Sequence, residues 1–196
     1  GNFLIKRVVH VLNNEFSSLK IFATLSPIPG FTQWLKTKIR LQIPDPDVRK
    51  ASHSSAFGND ELFVEDDLAN LQRAFNCEYD EVLSKFLNVL DEPSWYEKEV
   101  LVSAMHPILM RLAAQYLVNE KRRGKPLDGV AKFHIRNGAE MYRLNFLADK
   151  SRKGMQNSAG MMINYRYEPE TIEKNFVFYE ANGSIAVKDG VAKWLT

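Results

Sequence analysis

Cysteine is almost missing from this sequence: Cys77 is the only one. A single thiol excludes an intrachain disulfide and any metal site built on paired cysteines, and it fits a reducing, intracellular setting. Cys77 itself reads as a half-buried packing residue beside a helix. Histidine is scarce too. His10, His53, His106 and His134 are the four present, and none is spaced as His-x-x-x-His, so no catalytic metal is expected. No apolar run approaches the roughly 20 residues that cross a bilayer, so no membrane span is expected, and no signal peptide is visible. Excess charge is lacking as well. With 26 Lys and Arg against 24 Asp and Glu, the net charge of +2 does not point to nucleic acid. It is compatible with a local basic site for an anion. There is no Gly-x-Ser-x-Gly elbow, which weakens a hydrolase reading, and there are no internal repeats or low-complexity tracts. The chain opens at Gly1 directly into the helical pattern Phe3-Leu4-Ile5-Lys6-Arg7-Val8-Val9 without an initiator Met, and it reads as a fragment whose compartment is not legible from its ends.

What is present is the texture of one sizeable soluble domain, 45% hydrophobic and 26% charged over 196 residues. Leu4, Ile5, Val8, Val9, Leu12 and Phe16 recur at helical spacing and predict an amphipathic helix over 3–16. Residues 19–25 (LKIFATL) predict a buried strand. Ser26-Pro27-Ile28-Pro29-Gly30 then breaks regular structure, because two prolines fix φ and Gly30 permits a tight bend. Residues 31–39 return to helical period, so the unit is strand, rigid turn, helix. Residues 42–61 are polar, with two prolines and a serine cluster, and predict a surface loop.

From 62 to 122 the pattern is helical. Val82, Leu83, Phe86, Leu87 and Leu90 form one apolar face, and Leu101, Met105, Leu109, Leu112, Ala113 and Tyr116 another. Pro107 is expected to start or kink the second of these helices, and 120–125 to form a basic helix end with a glycine stop. Beyond Pro126 the expectation is strands over 130–135, 140–146 and 160–167, with a turn at Asn137-Gly138. A second turn at Asn182-Gly183 would join strands at 176–180 and 185–187. Gly154, Ser158 and Gly160 read as a polar link. The fold class is α+β, or α/β with a mixed sheet.

Two residues stand out chemically. His134 lies near the end of an expected strand and before a turn, and an imidazole can serve as general acid or base near neutral pH. Ser26 ends a strand beside a helix N-terminus, where anions are favoured. Taken alone, each also has an ordinary structural reading: a satisfied strand histidine, and a serine that closes a turn. Tyr165, Arg166 and Tyr167 add groups able to bind an oxyanion, phosphate or carboxylate, or simply the polar side of an edge strand. His10 falls on the polar side of the first helix and His53 in the loop. His106 precedes Pro107 and reads as structural.

Several stretches together resemble malonyl-CoA decarboxylases. They are Phe3–Val9 (FLIKRVV), Leu25–Trp34 (LSPIPGFTQW), Pro107–Gly124 (PILMRLAAQYLVNEKRRG), Val130–Gly138 (VAKFHIRNG), Tyr142–Asp149 (YRLNFLAD) and Gly160–Tyr167 (GMMINYRY). They follow the family's order and approximate spacing over nearly the whole chain, the loop at 42–61 excepted. The resemblance implies the C-terminal catalytic domain, partial here, over residues 1–196. It implies a GNAT-like mixed sheet flanked by helices, with the N-terminal part of the fold truncated.

It further implies decarboxylation of malonyl-CoA to acetyl-CoA and CO2 without metal or organic cofactor, in the regulation of fatty acid metabolism. The family's catalytic serine falls on Ser26, its catalytic histidine on His134, and an active-site tyrosine on Tyr167. The SPIPGFT turn takes the place of the acetyltransferases' Gly-rich pyrophosphate signature, so Pro29, Gly30 and Phe31 become substrate-binding candidates by fold analogy. Asn137 joins them by closeness to His134 in sequence, with no family role carried onto it. Lys36, Lys38 and Arg40 are weaker candidates for the CoA phosphates. An active-site glutamate and a helical domain that precede this region in the family are not in the chain.

Assembly as a homo-oligomer is implied for the intact protein. So is a place in the mitochondrial matrix or cytoplasm, or in the peroxisome, although Trp194-Leu195-Thr196 is not a Ser-Lys-Leu terminus. Two other readings stand beside this one: a GNAT-type acyltransferase moving an acyl group from CoA to an amine or carrier, and a non-catalytic CoA-binding fragment.

Overall fold

A computed structural model describes residues 2–43 and 62–195. The surface loop expected at 42–61 lies outside the described residues, apart from Gln42 and Ile43. Nine α-helices, two single-turn 3-10 helices (Tyr79–Glu81 and Trp95–Glu97) and six strands are described. In chain order the α-helices and strands are α1 (Asn2–Glu15), β1 (Ser26–Pro27), α2 (Phe31–Gln42), α3 (Glu65–Phe75), α4 (Val82–Asp91), α5 (Glu99–Val118), β2 (Lys121–Arg122) and β3 (Lys125–Pro126). There follow α6 (Gly129–Arg136), β4 (Glu140–Asn145), α7 (Arg152–Ser158), β5 (Met162–Arg166), α8 (Ile172–Asn182), β6 (Val187–Lys188) and α9 (Asp189–Ala192). The α+β expectation holds: helices flank a mixed four-stranded sheet in the order β1-β5-β4-β6.

The centre of that sheet is the pair β4 and β5, antiparallel, with Glu140 opposite Arg166 and Asn145 opposite Met162. β1 runs antiparallel along the other side of β5, Ser26 facing Ile163, and β6 joins β4 in parallel at Met141 and Val187. The buried carboxylate of Glu140 is paired with Arg166 and with Lys188, and Arg166 also reaches Glu168. This ionic cluster ties three neighbouring elements together across one face.

The strand expected over 19–25 is shifted and half-buried. Its extended backbone lies along β5, with the Thr24 amide donating to the Tyr165 carbonyl at 3.0 Å and the Tyr167 amide to Phe22 at 2.8 Å. Phe22, Ser26 and Ile28 are buried while Ile21, Ala23 and Leu25 are exposed. This period-two alternation is that of an edge strand with one wet face.

α5 is the core helix. Leu101, Met105, Ile108, Leu109, Leu112, Ala113 and Tyr116 are all buried along it. By length and composition alone it could cross a membrane, but over half of its apolar window is buried inside the fold. Pro107 neither starts nor ends this helix. It sits inside, eight residues past Glu99, so His106 is a mid-helix residue, packed edge-on against Phe146 and Trp194.

Other local expectations fail for identifiable reasons. The basic segment after α5 is a hairpin of β2 and β3, turned by Arg123 and Gly124 at positive φ, and not a helix end. Residues 130–135 are helix, not strand. The buried Asp128 side chain accepts from the amides of Val130 and Ala131 and starts α6. Asn137 and Gly138 end that helix, with Gly138 at φ 81°. Residues 176–180 are likewise helical, in α8, which Gly183 stops at φ 74°; only Val187–Lys188 of the final segment pair as strand. The polar link at 154–158 is α7, capped by Ser151 through the Gly154 amide.

Candidate active site

Inward alternation along the edge strand delivers Thr24 and Ser26 to the same face. Their hydroxyl oxygens lie 2.9 Å apart, and the Asn164 side-chain amide donates to the Thr24 carbonyl at 2.8 Å. Ser26 is therefore held at its backbone by β5 and at its hydroxyl by a neighbour. Pro27 and Pro29 then stiffen the chain up to Gly30, the N-cap of α2.

His134 arrives from the opposite side, on α6. Its Nε2 lies 3.2 Å from Ser26 Oγ, across 108 residues of sequence, and its Nδ1 lies 2.7 Å from the Tyr167 hydroxyl. The imidazole stacks on the Tyr165 ring with centroids 4.3 Å apart, and Phe133 packs edge-on against it. All three members of the chain are buried: Ser26 is 6% exposed, His134 7% and Tyr167 2%. Burial lowers the His134 pKa to about 4 and raises that of the Tyr167 phenol, because charge is costly in a site with so little water.

At neutral pH the three groups are thus an uncharged relay. In one tautomer Tyr167 donates to Nδ1 and Nε2–H donates to Ser26; in the other the Ser26 hydroxyl donates to Nε2 and Nδ1–H donates to Tyr167. Either way a proton can pass between the serine oxygen and the imidazole.

The other expected residues are placed as follows. Phe31 is fully buried, packed on Trp34 and Tyr116, and its amide donates to the Ile28 carbonyl at 3.2 Å. Pro29 is exposed and Gly30 half-buried at the start of α2. Asn137 is buried at the far end of α6 and its amide folds back to donate to the Phe133 carbonyl at 2.6 Å. Its backbone amide donates to the His134 carbonyl at 3.0 Å as part of the helix end, while its side chain turns back on α6. Lys36 is paired with Asp91 and Lys38 with Glu120, while Arg40 is exposed near the end of α2. Among the described residues no group of three or more His, Cys, Asp or Glu is arranged to hold a metal.

The sequence reading missed Thr24, Asp128, Tyr116 and the stacking role of Tyr165. Thr24 was legible as the residue two before Ser26 on an alternating strand. Asp128 was legible as an N-cap ahead of Gly129.

A family model described as Malonyl-CoA decarboxylase C-terminal domain matches residues 1–196. Among curated proteins, "Malonyl-CoA decarboxylase, mitochondrial" from Anser anser anser is 38% identical over 196 residues, covering 100% of this chain and 36% of the goose protein. The protein of the same name from Mus musculus is 39% identical over 191 residues, covering 97% and 36%. The chain thus spans about a third of the length of the curated relatives it matches. Among solved structures, malonyl-CoA decarboxylase from Agrobacterium vitis matches with a TM-score of 0.74 and 36% identity over 100% of this chain and 40% of that one. The enzyme from Rhodopseudomonas palustris matches with a TM-score of 0.71 and 35% identity, over 99% and 37%. The mixed sheet flanked by helices that they share with this chain is the GNAT-like arrangement expected from the sequence.

Proposed function

Because the chain belongs to the malonyl-CoA decarboxylase family, we propose that it forms the catalytic part of an enzyme that converts malonyl-CoA to acetyl-CoA and CO2. The observation that supports this most is the buried Ser26–His134–Tyr167 relay, assembled from three separate elements.

The chemistry suits such a site. When the C–CO2 bond lies perpendicular to the thioester plane, its electron pair moves into the thioester as CO2 leaves. The resulting enolate takes one proton at the α-carbon. The thioester is the electron sink, so the protein has to hold the reactive conformer, stabilise the enolate oxygen and deliver the proton. Ser26, fixed by Thr24 and β5, hydrogen-bonds the malonyl carboxylate or the thioester oxygen. His134 is neutral in the empty site. An incoming carboxylate favours its charged form, so as substrate enters the imidazole takes up one proton from solvent. After CO2 leaves, the imidazolium gives that proton to the α-carbon. Tyr167 fixes the ring by its bond to Nδ1. The N-terminus of α2, beside the exposed Pro29, receives the CoA pyrophosphate, where the macrodipole favours an anion.

The same reading places the protein in fatty acid metabolism, acting on the malonyl-CoA level. It also makes the mitochondrion the proposed compartment, since the curated relatives carry "mitochondrial" in their names.

Incubating the full chain with malonyl-CoA alone tests the reading. CO2 and acetyl-CoA should appear in equal amounts, and His134→Ala should depress kcat by two or more orders of magnitude while CoA affinity changes little. Product only after addition of an amine acceptor would overturn decarboxylation in favour of acyl transfer.

A further inference from the structure

Ser26 and His134 are 108 residues apart in the sequence, and their elements meet at one buried side chain. Asp128 is 2% exposed and caps α6, accepting from Val130 N at 2.9 Å and Ala131 N at 2.8 Å through Oδ1. Oδ2 has no short, well-aligned bond of its own. Burial raises the Asp128 pKa; the Ala131 and Val130 amides oppose that rise, and so do the amide of Gly30 and the hydroxyl of Tyr116, which approach the same carboxyl group more loosely. Gly30 ends the proline-stiffened turn that begins at Ser26. His134 lies six residues beyond Asp128, on the helix that Asp128 starts. The fit around Gly30 is close, since a Cβ there would overlap the Tyr116 hydroxyl oxygen. One carboxyl group therefore faces the serine's turn, the histidine's helix and the core helix α5 at once.

We propose that Asp128 is a positioning residue for the relay: by joining the Gly30 end of the Ser26 turn to the first turn of α6, it sets the distance between Ser26 Oγ and His134 Nε2. This rests on the decarboxylase reading for its effect on turnover, but not for its effect on geometry. A helix cap with no further role is the ordinary alternative, and the two make different demands on the side chain. Serine is a good N-cap. It can serve the Val130 and Ala131 amides, but it is too short to reach Gly30 and Tyr116 as well. Asp128→Ser thus separates capping from joining.

The experiment compares Asp128→Ser and Tyr116→Phe with the unaltered full chain in three measurements. These are thermal stability, kcat and KM for malonyl-CoA, and the ring 15N shifts of His134 at pH 7, assigned with a His134→Gln variant. The expected result for Asp128→Ser is a cooperative fold with Tm within a few degrees of the parent. Its kcat should fall at least tenfold with KM changed less than threefold, and the His134 Nε2 shift should move because the Ser26 contact has loosened. Tyr116→Phe leaves the α6 cap intact and should show the same pattern in weaker form. Unaltered His134 shifts and parental kcat in Asp128→Ser would overturn the proposal, leaving Asp128 as a cap only. If Asp128→Ser does not fold, Tyr116→Phe decides alone: unmoved His134 shifts overturn the proposal, and moved ones support it. An unaltered chain that releases no CO2 defeats the decarboxylase reading instead, and the His134 shifts still decide the geometric claim.

Discussion

The imidazole of His134 lies face to face on the ring of Tyr165, with planes 18° apart and centroids 4.3 Å apart. The carbonyl of the same tyrosine accepts the Thr24 amide. One residue of β5 therefore supports the histidine with its ring and the serine's strand with its backbone. Its hydroxyl is buried and has no hydrogen-bond partner among the described residues, so the ring is what the site uses.

Tyr165→Phe should accordingly be nearly silent. Removing an unpaired buried hydroxyl should leave stability unchanged or raise it by up to about 1 kcal/mol, with kcat within about threefold of the parent. Tyr165→Leu keeps an apolar side chain but removes the flat platform. It should cost on the order of 2–3 kcal/mol and lower kcat at least tenfold, as the imidazole loses its fixed plane. Denaturant titration and steady-state kinetics on the pair check this. Equal kcat for the Phe and Leu variants would show that the stacked ring does not orient His134.

The buried histidine has a consequence for stability. Its pKa is lowered to about 4, below the ordinary unfolded value of about 6.5. Between these values the unfolded chain binds a proton that the folded chain refuses, so stability rises with pH across that window. This contribution is neutral above about pH 6.5 and becomes progressively unfavourable toward pH 4. At the bottom of the window it reaches on the order of 2–3 kcal/mol. Comparing unfolding free energies at pH 7 and 4.5 for the parent and for His134→Gln isolates it. The variant should lose clearly less stability on acidification, and identical losses would mean that His134 is not held neutral by the fold.

The parts of this site differ in how readable they were. The strand–turn–helix around Ser26 was legible because prolines and alternation act locally: Pro27 and Pro29 restrict their own residues, and Phe22, Thr24 and Ser26 face inward by a period of two. The element holding His134 was not. Val130, Phe133 and Ile135 suit a strand as well as a helix, and what decides for α6 is one buried capping carboxyl, Asp128, accepting the amides of Val130 and Ala131. In the same way Asn137-Gly138 has the composition of a hairpin turn but serves as a helix end, since a positive φ at Gly138 satisfies either use. The meeting of Ser26 with His134 is a tertiary event 108 residues apart. Only the resemblance to a known family brought the two together before the structure did.

The hydroxyl of Tyr167 lies 2.7 Å from His134 Nδ1, within hydrogen-bond distance. Tyr167→Phe leaves the buried ring in place and removes only that bond, at a stability cost of about 1 kcal/mol. The imidazole is then free to choose its tautomer and to tilt, so kcat should fall by about one order of magnitude while KM changes little. Steady-state kinetics with malonyl-CoA measures the split. A rise in KM at constant kcat would move Tyr167 from orienting the histidine to binding the substrate.

Gly30 offers a test that depends on two residues at once. A Cβ at this position would overlap the hydroxyl oxygen of Tyr116, while the ring carbon that bears this hydroxyl lies 3.4 Å away, close but tolerable. Gly30 is at φ −95°, so alanine meets no backbone obstacle and the whole penalty is steric. Gly30→Ala alone should therefore cost about 1–3 kcal/mol by overpacking. It should also lower kcat, because the turn that holds Ser26 must shift. Adding Tyr116→Phe removes the overlapping atom, and the double variant should regain most of the stability lost by Gly30→Ala. The two changes should be strongly non-additive, with a coupling on the order of 1 kcal/mol or more. Denaturant unfolding of the four proteins in the cycle measures it. Additive losses would mean that the turn at Gly30 is free to move away from α5, and that the fit between Gly30 and Tyr116 does not hold Ser26 in place.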